Sequence, residues 1–445
     1  MYQDTIAAIS TPLGEGGIGI VRLSGAEAYS IADALFRGRL SDRALSYGHI
    51  IDSKTNEIVD EVLVSYMAAP HTYTREDVVE INCHGGPVPL QQILQLTLRH
   101  GARLAHPGEF TLRAFLNGRI DLAQAESVLD IVRARTEASL RLGIQGLEGH
   151  LSTAVKAIRD RLMSVLAYLT ARIDFPEDEV APQKIAPPLN EALQSLRKLI
   201  ATADTGMVYR LGVRTAIVGR PNVGKSSLLN RLLHQDRSIV TPVPGTTRDT
   251  IEEVANISGV PFILVDTAGI IRSKDLVESL GVERSRRAVE QADLVLAVID
   301  VSQPIVKADS EILEFIGDKA ALVVANKCDL PHQARLEGLG RGVVLTSALT
   351  GEGITELEER MASMILRGKV VVSDAPMVNN PRHKDALERA ARNLDNALQA
   401  IDTGLPDDFI TIDLTAALTA LGEITGETVH EDLLDTIFSD FCIGK

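Results

Sequence analysis

One stretch restricts the fold of this chain more than any other: "TAIVGRPNVGKSSLLNRLL", residues 215–233. An apolar, β-branched run ends at Gly219, and Gly224 and Lys225 then open a run with helical spacing. The pattern G-x-x-x-x-G-K-S between a strand and a helix predicts a phosphate-binding loop, in which successive backbone N–H groups converge on phosphate oxygens. We therefore expect an α/β unit with a mostly parallel sheet in this part of the chain.

The loop also predicts roles for individual side chains. Lys225 is expected to reach β- and γ-phosphate oxygens, and Ser226 is expected to ligate Mg²⁺. The residues that we expect to contact the nucleotide here are Asn222, Val223, Gly224, Lys225, Ser226 and Ser227.

Four further motifs follow in the order of a guanine nucleotide-binding domain. "PGTTRD" carries two threonines, one of which can reach Mg²⁺ and sense the γ-phosphate. "VDTAG" ends a strand near the γ-phosphate. "ANKCDL" and "TSALT" are expected to hold the base. The residues concerned are Thr246, Thr247, Asp266, Thr267, Ala268, Gly269, Asn326, Lys327, Asp329, Ser347 and Ala348.

A carboxylate in the base-binding motif favours guanine over adenine. Asp329 can accept hydrogen bonds from guanine N1–H and from the 2-amino group, and adenine lacks that amino donor. Because an unpaired carboxylate in such a site is costly, the adenine nucleotide would be rejected. The five motifs together predict a GTPase.

Hydrolysis requires a group other than the glutamine that orients water in Ras-like enzymes. Isoleucine stands at that position, Ile270, and the acidic candidates downstream are Asp275, Glu278 and Glu283. The amide oxygen of Asn222 could also coordinate a monovalent cation that stabilises transition-state charge. Asparagine is also common in turns because it tolerates their backbone conformations, so the residues alone leave two interpretations of Asn222 open, a cation ligand and a turn residue.

The rest of the sequence predicts two further domains, in agreement with a length of 445 residues. Residues 1–117 mix short β-rich runs with one helical stretch, an α+β pattern. Residues 118–210 and 371–445 carry apolar residues at three- and four-residue spacing, which predicts helices. We expect an N-terminal α+β domain and a split all-helical domain, with the P-loop GTPase domain inserted at residues 211–370.

Composition excludes several classes of protein. No apolar run approaches the roughly 18–20 residues of a membrane span, and three widely separated cysteines do not form a disulfide framework. A net charge of −15 argues against a broad basic surface that coats nucleic acid, although a local site, or one completed by a partner, remains possible. We expect a cytoplasmic protein without a membrane anchor.

The last residues, "FSDFCIGK", place Cys442 fourth from the end, as in a prenylation box. Gly444 and Lys445 do not fit that box, which leaves a buried structural cysteine or a working thiol. Ile437, Phe438 and Phe441 can pin the tail to the helical domain and leave Cys442 exposed in a flexible end.

The motifs together resemble the MnmE family of tRNA modification GTPases. The phosphate loop, "GTTRD" and "DTAG" agree with it, while "GEFTLRAFLNGRIDLAQAE" (108–126) and the terminal "FCIGK" are more specific, so the resemblance covers essentially the whole chain. It implies a GTP-hydrolysing enzyme that acts with the FAD-dependent flavoprotein MnmG. The implied product is a (carboxymethyl)aminomethyl group at C5 of the wobble uridine of certain tRNAs, built with a tetrahydrofolate one-carbon unit.

The resemblance also implies cations and a homodimer. GTP hydrolysis would be stimulated by K⁺, with Glu278 positioning the attacking water, and the GTPase domains of two protomers would face each other. The implied K⁺ ligands are Asn222, Thr241, Val243 and Thr246, and the implied Mg²⁺ ligands are Ser226 and Thr247. The other residues implied at the nucleotide in this loop are Pro242, Pro244 and Gly245.

The N-terminal segment resembles the folate-binding domain of the glycine-cleavage T-protein. Arg22, Glu80 and Arg119 match the family's contacts to 5-formyl- or methylene-tetrahydrofolate. Glu80 could pair with pterin N–H groups, whereas arginines suit the glutamate tail. Position 119 is often lysine in the family, so its contact geometry can differ here. The resemblance places Cys442 as a catalytic residue near the folate pocket and Lys445 in contact with folate.

Two other functions remain open on the sequence. One is a ribosome-assembly GTPase that acts as a binding switch and modifies nothing, since that class shares the GTPase motifs. The other is a stand-alone folate-dependent transferase in which GTP is only regulatory.

Overall fold

A computed structural model describes residues 4–175, 181–234, 253–266, 286–336, 339, 342–366 and 375–445. The chain forms two separate sheets and a helical bundle, and the bundle is assembled from segments that precede and follow the second sheet in the sequence. The predicted fold class is confirmed, because the second sheet is mostly parallel and its strands stand in the chain between the two groups of helices that form the bundle. Over the described residues, no helix is both long and apolar enough to cross a membrane.

The N-terminal part is a seven-stranded sheet in the order β3-β4-β5-β6-β2-β1-β7. Apolar side chains alternate along β2 and β6, so one face buries a core against two helices, α1 and α2. The elements are β1 Ile6–Ile9, β2 Gly16–Ser24, α1 Ala28–Leu35, β3 Phe36–Arg37, β4 Leu45–Ile51, β5 Ile58–Met67, β6 Val78–Gly85, α2 Pro87–Arg99, β7 Arg103–Leu104 and α3 Glu109–Leu116.

The helical bundle is built from two distant parts of the chain. Apolar residues at helical spacing from both parts, such as Leu162, Leu196, Leu387 and Leu414, share one core and are fully buried. The helices are α4 Leu122–Arg133, α5 Glu137–Leu147, α6 His150–Asp174, α7 Ala186–Ile200, α8 Ala203–Leu211, and, beyond the second sheet, α12 Pro381–Asp402, α13 Asp407–Thr425 and α14 Glu431–Ser439.

The second sheet has the order β13-β12-β11-β8-β10-β9 and is parallel except for the edge hairpin β9–β10. Ser258 and Gly259 both have positive φ angles, 52° and 84°, in the two-residue turn of that hairpin, which glycine tolerates without strain. The elements are β8 Val213–Val218, α9 Lys225–His234, β9 Glu253–Ile257, β10 Val260–Asp266, β11 Leu294–Asp300, α10 Lys307–Ile316, β12 Ala321–Asn326, β13 Val343–Thr346 and α11 Ile354–Leu366.

A buried carboxylate joins the two halves of the bundle. Glu126 of α4 accepts hydrogen bonds from Asn380 Nδ2 at 2.9 Å and Arg382 Nη2 at 2.6 Å, and its Oε2 lies 2.7 Å from His383 Nε2. Burial alone would raise the pKa of the Glu126 carboxyl, but His383 and Arg382 outweigh burial and hold that pKa far below its ordinary value. Glu126 is therefore ionised in the folded protein and neutralises cations from the second half.

The bundle also holds both connections to the second sheet. Asp130 of α4 accepts from Arg210 Nε at 2.6 Å, just before the sheet begins, and from Asn379 Nδ2 at 3.0 Å, just before α12 begins. At the start of α5, Thr136 Oγ1 donates to the carbonyl of Gly259 in the edge hairpin at 2.9 Å. These contacts tie the second sheet to α4 and α5.

We predict that Glu126→Gln destabilises the bundle by about 3 kcal/mol near neutral pH, because Arg382 loses its buried counter-charge. A carboxyl with a depressed folded-state pKa stabilises the fold above its unfolded-state pKa and loses that contribution as the pH falls. The difference in Tm between wild type and variant should therefore become smaller as the pH falls below 4.5, the ordinary pKa of a glutamate carboxyl.

Thermal unfolding followed by circular dichroism from pH 7 down to about pH 3 measures this difference. The matched control is Glu191→Gln, which removes an exposed carboxylate 3.8 Å from Arg161 in the same bundle and should cost less than about 1 kcal/mol. Equal Tm values for Glu126→Gln and Glu191→Gln would contradict the assigned role of Glu126.

Candidate functional site

The loop between β8 and α9 has the backbone of a phosphate cradle. Gly219 and Gly224 have φ angles of 154° and 98°. A Cβ atom on Gly219 would lie 2.3 Å from the carbonyl oxygen of Val298, and one on Gly224 would lie 2.3 Å from Asn326 Nδ2. Only glycine fits at both positions, and without a side chain there the backbone N–H groups of these residues stay accessible to a phosphate.

The lysine of this loop already lies inside it. Lys225 is 8% exposed, and its Nζ donates to the carbonyl oxygens of Gly219 and Arg220, each at 2.8 Å. The ammonium therefore sits where phosphate oxygens would replace the two carbonyls. Ser226 follows at the start of α9 with an exposed side chain, as a Mg²⁺ ligand must have.

Asn222 occupies the turn of the loop with a φ angle of 62° and an exposed side chain. Asparagine tolerates this left-handed conformation, so the turn explains the residue type without any ligand. Its exposed amide can also reach a cation above the loop. The structure thus agrees with both interpretations that the sequence left open.

The base-binding side is organised by one buried amide. Asn326, at the end of β12, is 2% exposed. Its Nδ2 donates to the carbonyl of Val223 at 2.8 Å, and its Oδ1 accepts from the N–H of Ala348 at 3.0 Å. Asn326 therefore connects the phosphate loop to the loop after β13, whereas the carboxylate of Asp329 is exposed and available to a base.

Lys327 has a partner that the sequence motifs did not indicate. Its Nζ donates to Asp300 Oδ2 at 2.6 Å, and Asp300 also accepts from the N–H and Oγ of Ser302. Burial would raise the pKa of the Asp300 carboxyl, but the hydrogen bonds from Lys327 and Ser302 hold it below its ordinary value. An acidic residue ending the buried strand "LVLAVID" was the available sign of this support.

The loop that carries Ser347 and Ala348 is held on both sides. Ser347 is fully buried and its Oγ accepts from the N–H of Thr350 at 3.1 Å. Arg231 of α9 donates to the carbonyl oxygens of Ala348 and Leu349 at 3.2 and 2.5 Å. The predicted base loop thus packs against the helix that follows the phosphate loop.

Part of the predicted nucleotide site lies outside the described residues. Asp266 ends β10, where its backbone pairs with Ile217 of β8, so the strand delivers the motif to the edge of the phosphate loop. The predicted residues beyond the described ranges are Thr241, Pro242, Val243, Pro244, Gly245, Thr246, Thr247, Thr267, Ala268, Gly269 and Glu278.

A second site forms on the N-terminal sheet. Arg22 of β2 and Glu80 of β6 are direct cross-strand partners, with Nε 2.8 Å from Oε1. Their side chains are only 20% and 23% exposed. Arg22 Nη1 also donates to the carbonyl of Gly444 at 3.0 Å, which brings the C-terminal tail to this ion pair.

The tail is held more firmly than the sequence suggested. Phe438 and Phe441 are buried in a cluster with Ala114 and Leu122, so they pack on α3 as well as on the bundle. Gly444 is buried with a φ angle of 94°, and a Cβ there would lie 2.4 Å from the carbonyl of Ile9. This glycine thus seats the tail against β1, a contact that the sequence did not indicate. Cys442 is exposed, as expected.

The predicted folate residues converge on one tyrosine. Arg119 Cζ lies 4.5 Å from the ring centroid of Tyr73, and Arg22 Cζ lies 5.9 Å from it. Arg119 Nε is buried without a hydrogen-bond partner in the described structure. Lys445 is half-buried at the end of the tail. Two guanidinium groups, a carboxylate and the C-terminal tail thus meet at the same part of the N-terminal domain.

Comparison with known proteins decides the family. The model of the MnmE helical domain matches residues 122–442, and that of the GTP-binding protein TrmE N-terminus matches residues 5–119. The tRNA modification GTPase MnmE of Chloroflexus aurantiacus is 53% identical over 457 residues, and that of Roseiflexus sp. is 51% identical over 463 residues. In both comparisons all of this chain and all of the relative are covered.

The chain belongs to the MnmE family of tRNA modification GTPases. The resemblance stated from the sequence motifs is therefore confirmed. Among solved structures, Era of Aquifex aeolicus bound to GDP and aluminium fluoride is 31% identical, covering 40% of this chain and 65% of that chain with a TM-score of 0.27.

We predict that substitutions of Asn326 and Asp329, the two residues expected at the base, have different effects on nucleotide binding. Asn326→Ala leaves the carbonyl of Val223 and the N–H of Ala348 unpaired, which costs about 1–3 kcal/mol each. Affinity for GTP and for xanthosine triphosphate should fall together, by at least about tenfold. Asp329→Asn should instead weaken GTP and favour the xanthine nucleotide.

Binding of fluorescent analogues of both nucleotides, measured by titration, separates the two cases. If Asn326→Ala weakened GTP but spared the xanthine nucleotide, Asn326 would contact the base and its role as a connector of loops would be refuted.

Proposed function

We propose that this MnmE-family GTPase hydrolyses GTP to drive modification of the wobble uridine of certain tRNAs. In the proposed reaction it acts with the flavoprotein MnmG and adds a (carboxymethyl)aminomethyl group at C5, with the carbon taken from a tetrahydrofolate derivative. The observation that carries the proposal is the convergence of Arg22, Arg119 and the Cys442 tail on one part of the N-terminal domain.

At the nucleotide, the phosphate loop and Lys225 would hold the β- and γ-phosphates. Ser226 and Thr247 would ligate Mg²⁺, which supplies charge neutralisation on the phosphates. K⁺ would bind between Asn222 and the loop residues Thr241, Val243 and Thr246, in place of an arginine that stabilises transition-state charge. Glu278 would position the attacking water, since Ile270 cannot.

At the N-terminal site, a tetrahydrofolate derivative would lie between the sheet and the tail. Guanidinium groups suit the carboxylates of its glutamate tail, and the Glu80 carboxylate suits pterin N–H groups. In the structure Glu80 is paired with Arg22, so ligand binding would exchange part of that ion pair for contacts to the pterin. Lys445 would add a contact from the end of the tail.

The proposed partners follow from surface and charge. Leu45, Tyr47 and Leu63 are 60%, 63% and 37% exposed on the N-terminal sheet, and Tyr47 pairs directly with Leu63. This apolar sheet face supports a homodimer formed through residues 1–117. A net charge of −15 supports a tRNA site that MnmG completes, rather than one formed by this chain alone. We propose that the reaction takes place in the cytoplasm.

Isotope transfer tests the proposal directly. The full chain, MnmG, GTP and unmodified tRNA are incubated with tetrahydrofolate carrying a labelled methylene group, and the tRNA nucleosides are analysed by mass spectrometry. Label at C5 of the wobble uridine is expected. Unlabelled product would refute folate as the carbon source, whereas no product with an active MnmG would favour a binding switch such as a ribosome-assembly GTPase.

We predict that GTP hydrolysis is faster in K⁺ than in Na⁺ by at least about tenfold, and that Asn222→Gly removes the difference. Glycine accepts the φ angle of 62° at this position, so the variant keeps the loop and deletes only the amide. Steady-state rates in the two chloride salts measure the effect, with nucleotide affinity as the control for loop integrity. Retained K⁺ stimulation in Asn222→Gly would contradict a ligand role for Asn222.

We predict that Cys442→Ser abolishes tRNA modification and leaves GTP hydrolysis unchanged, because the thiol lies at the N-terminal site and away from the phosphate loop. The matched control is Ile443→Ala, which trims the neighbouring side chain, 52% exposed, and should retain modification. The assay is wobble-nucleoside analysis of tRNA treated with each variant and MnmG. Full modification by Cys442→Ser would assign this cysteine to packing.

A further inference from the structure

Tyr73 lies beside Arg119, the nearer of the two arginines of the N-terminal site, whereas Arg22 lies closer to the ring of Phe110, at 5.7 Å. The ring centroid of Tyr73 is 4.5 Å from Arg119 Cζ and 5.9 Å from Arg22 Cζ. Both distances fall within the range of cation–π attraction, which is strongest when the cation is partly removed from water. Tyr73 and Arg119 are both half-buried, so the attraction is only partly screened.

The ring of Tyr73 is held in place by a hydrogen bond and by the hydrophobic core. The hydroxyl of Tyr73 shares a hydrogen bond of 2.9 Å with Thr111 Oγ1, and Thr111 of α3 is fully buried. The ring packs against the small core that contains Ile6 and Phe110. A side chain held by a buried hydroxyl and by the core has little rotamer freedom left to lose.

Tyr73 orients Arg119 without consuming its hydrogen-bond donors. A guanidinium over an aromatic ring keeps its N–H groups available at its edge, whereas an ion pair with a carboxylate occupies them. Over the described residues, Arg119 makes no ion pair, and its Nε is buried without a hydrogen-bond partner. Glu80 is the carboxylate paired with Arg22. The site therefore keeps unneutralised positive charge in a strongly acidic chain.

We propose that Tyr73 is a positioning residue that sets the affinity of this site for the carboxylates of a folate glutamate tail. This inference rests on the proposed folate function. Tyr73 acts through Arg119, whose N–H groups bind a carboxylate while the ring fixes the plane of the guanidinium. The donors of Arg22 are already occupied by Glu80 and by the carbonyl of Gly444. The pterin end of the ligand does not depend on Tyr73.

Two ligands and two substitutions isolate this effect. Binding of 5-formyl-tetrahydrofolate and of 5-formyl-6-methyltetrahydropterin, which lacks the benzoyl-glutamate tail and carries no carboxylate, is measured by calorimetry with the full-length chain. Tyr73→Leu should weaken the glutamate-bearing ligand about fivefold and leave the tail-less ligand unchanged. Tyr73→Phe keeps the ring, loses only the hydroxyl, and should bind both ligands within about twofold of wild type.

Each other outcome is decisive. Equal weakening of both ligands by Tyr73→Leu would show a merely structural role and overturn the inference, as would unchanged binding of the glutamate-bearing ligand. If wild type bound neither ligand, folate use itself would fail and this inference with it. GTP hydrolysis and Tm monitor folding, and Tyr73→Met, which fills similar space without a ring, replaces Tyr73→Leu if that variant does not fold.

Discussion

A single hydrogen bond from Arg22 to the carbonyl of Gly444 joins residues 422 positions apart, and the proposed chemistry depends on it. The bond brings the end of the chain onto the first sheet, where Gly444 fits against Ile9 only because it lacks a Cβ. Cys442 is exposed two residues before Gly444. The tail is long enough to reach because α14 ends against α3, with Phe438 and Phe441 buried between them.

The helical bundle makes that closure possible and also connects it to the nucleotide. Glu126 neutralises cations from the second half of the bundle, so α4 and α12 are fixed together. One helical turn later, Asp130 holds both connections to the GTPase sheet. A change in that sheet on GTP hydrolysis would therefore act on the same helix that follows Arg119 in the chain.

Sequence patterns predicted those parts of the fold that local chemistry determines. The glycines of the phosphate loop, the alternation along β2 and β6, and the apolar spacing of the long helices each depend on neighbours in sequence. The two-residue strands β3 and β7 are too short for any periodicity. Contacts between distant residues were not accessible either: nothing local indicates that Tyr73 lies beside Arg119, or that the amide of Asn326 holds Val223.

The central claim is that the tail and the arginine pair form one ligand site, and the reactivity of Cys442 tests it most directly. Alkylation of the full-length chain by iodoacetamide is followed by mass spectrometry, with and without saturating 5-formyl-tetrahydrofolate. Cys83 is an internal control, since burial raises the pKa of its thiol to about 11 and keeps it unreactive. The account predicts that the ligand slows alkylation of Cys442 severalfold; an unchanged rate at saturation would contradict it.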